Sequence, residues 1–415
     1  MVAPVTPVGL PRRLGLVDAA VLGMGAMLGA GIFAALAPAA QAAGPGLLLG
    51  LAVAALVASC NALSTARLAI RYPVSGGAYI YGRRRLGDFW GYLAGWGFIV
   101  GKTASCAAIA LTVGHYAWPA APEAVAVTAV IVVTVVNYLG VQKSALVTRV
   151  IVGVVLTVLG AVVVTAWTAG SAGQPLASDP PASVPGVLQS AALLFFAFAG
   201  YARIATLGEE VREPARVIPR AMLLALSVTV LCYGAVAVAV LGVLGPQRLT
   251  ASAAPLVAAV EAAGAPALMP VVAATAVIAA IGSLLALLLG VSRTVLAMAR
   301  DRYLPTPLAA VHPRFGGPHR AELAVGVVVA VLAATVDLRS AIGFSSFGVL
   351  VYYTIANAAA FTLDSPRGRS ARVIPVLGIL GCLSLAFALP ASSVVAGVTV
   401  FAVGAAGYGL RRLVG

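Results

Sequence analysis

Charge is what this 415-residue chain has least of: Asp, Glu, Lys and Arg together make up 9% of it, while 61% is hydrophobic and the mean hydropathy is +1.05. A soluble domain carries roughly 25% charged residues, so this composition excludes an ordinary surface in water. Acidic groups are scarcer still, twelve against 26 Lys plus Arg, for a net charge of +14. The four cysteines, Cys60, Cys106, Cys232 and Cys382, lie in apolar stretches with no C-x-x-C spacing and are read as small packing residues. Among the three histidines, His115, His312 and His319, no H-E-x-x-H pattern occurs, and neither a Walker loop nor G-x-S-x-G appears anywhere. The expectation is therefore no enzyme, no catalytic residue, no metal and no cofactor. No polar segment is long enough to form a separate soluble domain.

What is present is apolar sequence in long runs. Twelve stretches qualify as spans: 17–40, 45–66, 89–114, 122–141, 145–169, 186–207, 219–243, 267–297, 321–336, 339–362, 374–389 and 391–410. The ninth and eleventh are short against the ~20 residues a helix needs to cross. With a cytoplasmic N-terminus, twelve spans place both termini inside. On that assignment 23 of the 26 basic residues fall inside, only Arg248 and Arg339 fall outside, and Lys102 lies within a span. That is the bias of the positive-inside rule, and one missed or invented span would scramble it. The expected location is the cytoplasmic membrane, with the cations facing lipid headgroups. A nucleic-acid partner is excluded, because no basic and aromatic groove-forming segment lies outside the spans. Arg12 and Arg13 before an apolar run resemble the start of a signal peptide, but the run is longer than a typical h-region.

GMGAMLGAGIF at 23–33 poses the next question. Gly23, Gly25 and Gly29 loosely match the spacing of a dinucleotide-binding turn, yet they sit in mid-span with no preceding strand. Four glycines within nine residues weaken a helix, each by about 1 kcal/mol relative to alanine. They equally suit a G-x-x-x-G packing face from Gly25 to Gly29. Span six decides between these readings, since FFAFAGYARIATLGEEVREP carries Gly200 in mid-membrane, followed by Tyr201 and Arg203. Interruptions in spans one and six, five apart, point to an inverted-repeat transporter with its substrate at the midplane. Freed amides at a half-helix start favour a carboxylate and freed carbonyls favour an ammonium, so the site suits a zwitterion.

Four signatures carry a family resemblance. GAGIF at 29–33, PVSGGAYIYG at 73–82, FFAFAGY at 195–201 with EEVREPAR at 209–216, and MARDRYLP at 298–305 occur in order on the expected elements. They resemble the first-helix motif, the P-x-S-G-G-x-Y-x-Y loop, the sixth helix with its exit loop, and the A-R-D-G-x-L-P motif of the amino acid-polyamine-organocation superfamily. Within it, the chain is similar to bacterial amino acid permeases related to the cationic amino acid transporter branch. The resemblance implies one all-α integral membrane domain over 1–415 with a LeuT-like 5+5 inverted repeat and twelve transmembrane helices. Spans one to five (17–169) form the first repeat, spans six to ten (186–362) the second, and spans eleven and twelve (374–410) are accessory. It further implies alternating access around broken spans one and six. Amides near Ala30 and Gly31 would hold the substrate carboxylate, with Gly29 and Ile32 also in the substrate-binding stretch. Carbonyls at Met27, Phe196, Ala197 and Ala199 would hold its ammonium, beside Gly200, with Phe198 or Tyr201 closing over it. Arg203, Glu209 and Glu210, with Arg212, form an expected inner gate.

Two departures bear on coupling and substrate. Aligning NYLGVQKSALV puts Val155 where the proton-coupled branch has a lysine, and Leu284 to Leu289 offers no hydroxyl of the kind sodium-coupled relatives use. Lys102 lies about 20 Å into span three, too deep to snorkel easily. It is expected to carry the coupling proton or contact substrate, the rival being an amine bonded to broken-helix carbonyls. All twelve acidic residues lie in loops or near span ends, so no deep carboxylate awaits a cationic side chain. The expectation is a secondary transporter for a small neutral amino acid, proton-coupled or exchanging, acting as a monomer or weak homo-oligomer. The alternative is an amine, polyamine or cationic amino acid exchanger held through aromatic rings. A channel is disfavoured because no repeated filter segment is present.

Overall fold

The computed structural model describes residues 14–73, 76–140, 145–169, 183–205, 207, 210–364 and 372–414. In chain order the helices are α1 (Leu16–Met27), α2 (Gly31–Ala34), α3 (Leu36–Ala43), α4 (Leu47–Arg71), α5 (Gly77–Leu86), α6 (Asp88–Ala117), α7 (Pro122–Tyr138), α8 (Ala145–Thr168) and α9 (Val184–Phe198). There follow α10 (Ala202–Ala205), α11 (Pro214–Ala251), α12 (Pro255–Ala262), α13 (Met269–Arg300), α14 (His319–Thr335), α15 (Leu338–Phe361), α16 (Val373–Ala388) and α17 (Ala391–Val414). Among the described residues no strand forms, and nine helical segments are long and apolar enough to cross a membrane. Helices apolar on every face need either a core or lipid around them. Here α6 is enclosed on almost all sides, whereas α8 and α17 turn most of their surface outward. Outward-facing Leu231, Val154, Val327, Phe387 and Val403 form the kind of continuous apolar exterior that water does not tolerate.

Several expected boundaries move. The fourth stretch, expected over 122–141, forms a helix only over Pro122–Tyr138, because Gly140 at φ 73° turns the chain away. The signature loop at 73–82 is helical from Gly77 onward, as α5; Val74 and Ser75 lie outside the described residues. The seventh stretch is a regular helix to Leu244, where Gly245 at φ 64° introduces a kink before Pro246. The short helix α12 on the far side of that kink was not expected. Pro38 lacks the amide that would bond Ala34, which accounts for the bend at Ala35 between α2 and α3.

Both interruptions are present. Helix α1 stops at Met27 and α2 starts at Gly31, leaving 28–30 as a turn. Helix α9 stops at Phe198, and Ala199–Tyr201 tightens into a 3₁₀ turn before α10. The glycines of span one do two jobs. A Cβ on Gly25 would lie 2.9 Å from Thr148 of α8, and one on Gly29 would collide with Ser283 of α13, so the stretch is both a break and a packing face.

At the rim formed by the ends of α5, α6 and α13, Arg83 bonds Asp88 (3.2 Å) and Asp301 (2.6 Å), and the Tyr79 hydroxyl also donates to Asp301. Burial, reinforced by the bond to Asp301, raises the Tyr79 phenol far above its ordinary range, so it stays a neutral donor. Helix α13 closes with the Arg302 amide on the Ala299 carbonyl (3.1 Å) and the Tyr303 amide on the Met298 carbonyl (2.8 Å). This is the double bond pattern of a left-handed cap, in which glycine is the usual residue. Arg302 takes that place at φ 62°, in a conformation that costs a side chain about 1–2 kcal/mol.

Candidate functional site

The two breaks meet in the interior. A Cβ on Gly31 would lie 2.5 Å from the Ala197 Cα, and a Cβ on Gly200 would lie 2.5 Å from the Ala26 carbonyl carbon. Glycine at both places lets the backbones of spans one and six touch, which brings the first amides of α2 beside the last carbonyls of α9. Amides in the first turn of a helix have no acceptor within that helix. Met27 ends α1; Gly29 and Ala30 form the turn; Gly31 and Ile32 open α2. Phe196, Ala197 and Phe198 are the last turn of α9, and Ala199, Gly200 and Tyr201 the 3₁₀ turn. One small region therefore holds every expected substrate-contacting residue.

Two side chains clamp this region. The Tyr233 hydroxyl of α11 lies 2.6 Å from the Met27 carbonyl and 3.2 Å from the Ala197 carbonyl, so a single donor bridges both broken helices. Lys102 of α6, 6% exposed, donates from Nζ to the Ala199 carbonyl at 3.1 Å. Thus three of the four carbonyls expected to face an ammonium already accept a side-chain bond, and a carbonyl oxygen can accept two. The amide of Ala199 takes the fourth, on Phe196. Further out, Tyr116 of α6 donates to the Phe33 carbonyl (3.0 Å) and packs edge-on against its ring. Phe198 lies against Tyr233 with ring centroids 5.2 Å apart, and Tyr201 stacks on Tyr353 of α15 at the same separation.

Sequence reasoning missed Tyr233. Its signal was a lone tyrosine inside the apolar run of span seven. Ser283 of α13, one residue before the stretch Leu284 to Leu289, brings a hydroxyl side chain against Gly29 of the span-one break. Behind Tyr201 lies a polar cluster that was not foreseen either: Asn357 of α15 donates to Asn61 of α4 (2.6 Å), and Cys382 of α16 lies 3.3 Å from the same Asn61 oxygen. This cluster ties α16 to the second and tenth spans. Glu322 stands at the start of α14, near a span end as expected, yet it is fully buried and neither of its oxygens has a hydrogen-bond partner among the described residues. Helix-end placement in the sequence says nothing about the loop folded over it.

At the opposite end of span one, the backbone of Leu14 pairs with the exit segment of span six. Its amide bonds the Glu210 carbonyl (3.1 Å) and its carbonyl accepts from the Arg212 amide (2.9 Å). Arg149 of α8 pairs with Asp18 of α1, whose other oxygen accepts from the Gly15 amide. Arg203 lies in α10 just before this segment, and Glu209 falls outside the described residues. Main-chain pairing and the Asp18–Arg149 ion pair thus hold the end where the expected gate network lies.

The geometry is that of a helical membrane protein in which two discontinuous helices meet in the interior. An amino acid permease family model matches residues 14–405, and the chain belongs to that family. The chain is 68% identical to an uncharacterized transporter of Mycobacterium tuberculosis, over 98% of this chain and 93% of that protein. It is 30% identical to the branched-chain amino acid permease BcaP of Bacillus subtilis, covering 91% and 88%. It is 28% identical to the chloroplastic cationic amino acid transporter 7 of Arabidopsis thaliana, covering 84% of this chain and 65% of that one.

Tyr233→Phe removes one donor from two buried carbonyls while keeping the ring against Phe198. The expected result is a stability loss of about 1–3 kcal/mol, read as a lower unfolding midpoint of the purified protein. An unchanged midpoint would show that the bridge carries no weight.

Proposed function

We propose that this permease moves a small neutral amino acid by alternating access, with the substrate held between the broken first and sixth spans. The observation that carries the reading is the meeting of the two breaks, Gly31 against Ala197 and Gly200 against Ala26, which sets amides and carbonyls side by side. The amides around Gly29, Ala30, Gly31 and Ile32 take the carboxylate. The ammonium takes the remaining lone pairs at Met27, Phe196, Ala197 and Ala199, beside Gly200, and Phe198 and Tyr201 wall the side-chain end. A zwitterion satisfies both sets together, whereas a lone cation or anion leaves one set without a partner in a dry interior.

The wider architecture belongs to the same proposal: twelve spans in a LeuT-like 5+5 inverted repeat, 17–169 and 186–362, with 374–410 accessory. Three of the twelve, α7, α14 and α16, are short and reach about 24–26 Å at 1.5 Å per residue. The basic-residue bias supports a cytoplasmic membrane location with both termini inside. In the inward-closed arrangement, the Leu14 pairing and the Asp18–Arg149 pair hold the cytoplasmic end, and Arg203, Glu209 and Glu210 are the proposed gate residues there. The name of the Bacillus subtilis relative supports a neutral substrate, as does the confinement of carboxylates to span ends. A second reading, an exchanger of amines or cationic amino acids, draws on the aromatic pairs Phe198–Tyr233 and Tyr201–Tyr353 and on the name of the Arabidopsis relative.

Coupling is by protons or by exchange, and Lys102 is the proposed coupling residue. Its ammonium bonds the Ala199 carbonyl of the sixth-span break, so losing its proton changes how that carbonyl is shared with the substrate.

Thermal stabilisation of the purified protein by a panel of amino acids and their decarboxylated amines tests the substrate class. A neutral amino acid at 100 times its Kd adds about 2.7 kcal/mol, and stabilisation by amines alone would overturn the proposal in favour of the exchanger. Lys102→Met is expected to abolish uptake driven by a pH gradient in proteoliposomes while leaving substrate exchange. Full gradient-driven uptake in that variant would remove Lys102 from coupling.

A further inference from the structure

The ends of α6, α13 and α17 enclose a surface pocket of about 220 Å³. Three arginines line it, Arg302, Arg411 and Arg412, all exposed and none forming an ion pair among the described residues. Two aspartates also line it, Asp88 and Asp301, but both are held by Arg83. With Arg83 the two aspartates leave one negative charge against the three arginines, so the pocket still presents net positive charge. Its wall is a tyrosine stack: Tyr92, Tyr303 and Tyr408 pack at 5.1 to 6.0 Å between centroids, and Arg412 lies over Tyr408.

Two further features locate and specialise this pocket. Trp90, 46% exposed, lies edge-on to Phe89, which packs on Tyr408, and such aromatics mark the headgroup depth of a membrane protein. Arg302 occupies the left-handed cap position that a glycine fills without strain. Non-glycine residues in that region gather where a side chain has a task.

We infer that this pocket binds the phosphate of an anionic membrane lipid, gripped by Arg302 from the end of α13 and by Arg411 and Arg412 from the end of α17. Arginine forks match phosphate oxygens in pairs, and basic pockets between helix ends on the inner leaflet recognise lipid headgroups. A lipid held there joins α17, the most outward-facing of the apolar helices, to α6 and α13.

The test is the unfolding midpoint of the detergent-purified full chain with added phosphatidylglycerol, with phosphatidylcholine, and with inorganic phosphate. Phosphatidylglycerol is expected to raise the midpoint by several degrees more than phosphatidylcholine at equal concentration. Arg302→Gly, which relieves the backbone strain, is expected to unfold at the same or a higher temperature without lipid yet lose at least half of the phosphatidylglycerol increment. The double variant Arg411→Gln with Arg412→Gln should lose it too, whereas Arg372→Gln, elsewhere on the basic surface, should keep it. Equal increments from the two lipids, full increments in the pocket variants, or the same loss in Arg372→Gln would overturn the site. Saturating stabilisation by inorganic phosphate with no further gain from lipid would overturn the lipid assignment.

Discussion

A helix broken inside a membrane must find new partners for the backbone groups it frees, because no water is there to take them. The bond from the Tyr233 hydroxyl to Met27 and Ala197 meets that demand for both broken helices at once, and Lys102 meets it for Ala199. The remaining architecture follows from keeping these donors in place. Span three delivers Lys102 to one break and Tyr116 to the outer half of span one, which accounts for its near-complete enclosure. Span seven delivers Tyr233. Glycines at 31 and 200 remove the Cβ atoms that would hold the two backbones apart. In the proposed site the amides of one half-helix start face the carbonyls of the other half-helix end, and a zwitterion complements that asymmetry.

Much of this was legible in the residues. The positions of both breaks could be read because glycine amid apolar neighbours in mid-span marks where a helix loosens, and the spacing of spans one and six lent the pairing a meaning. The charge bias gave an expected topology. The clamps could not be read, because a tyrosine in span seven looks like any packing aromatic until the fold brings it 206 residues back to Met27. Lys102 was legible as a residue of consequence, but not its partner, since the carbonyl it bonds carries no side-chain signature. Glu322 shows the opposite failure: its position near a span end set it apart from the interior, yet it is fully buried with no hydrogen-bond partner among the described residues. Helix α5 was hidden for a simpler reason, because PVSGGAYIYG was matched as a whole to a signature loop, whereas the helix starts at Gly77.

The interior and the rim of the molecule are held by different physics. The interior depends on hydrogen bonds to freed backbone, which a dry environment strengthens. The rim at α5, α6 and α13 depends on ion pairs around Arg83 and on stacked tyrosines, which salt and headgroups modulate. Main-chain pairing of Leu14 with the segment at 210–212 and the Asp18–Arg149 pair sit between these regimes. They involve few groups, at a place the proposed cycle has to open, so the energy to be overcome there is small beside that of the core.

Titration calorimetry with three forms of one neutral amino acid tests the zwitterion site most directly: the free molecule, its methyl ester and its N-acetyl derivative. The account predicts that the free amino acid binds and that blocking either end weakens binding by about 100-fold, since each block leaves freed backbone groups without a partner at a cost of ~1–3 kcal/mol apiece. Binding of the methyl ester as tightly as the free amino acid would contradict the pairing of substrate carboxylate with the first amides of α2.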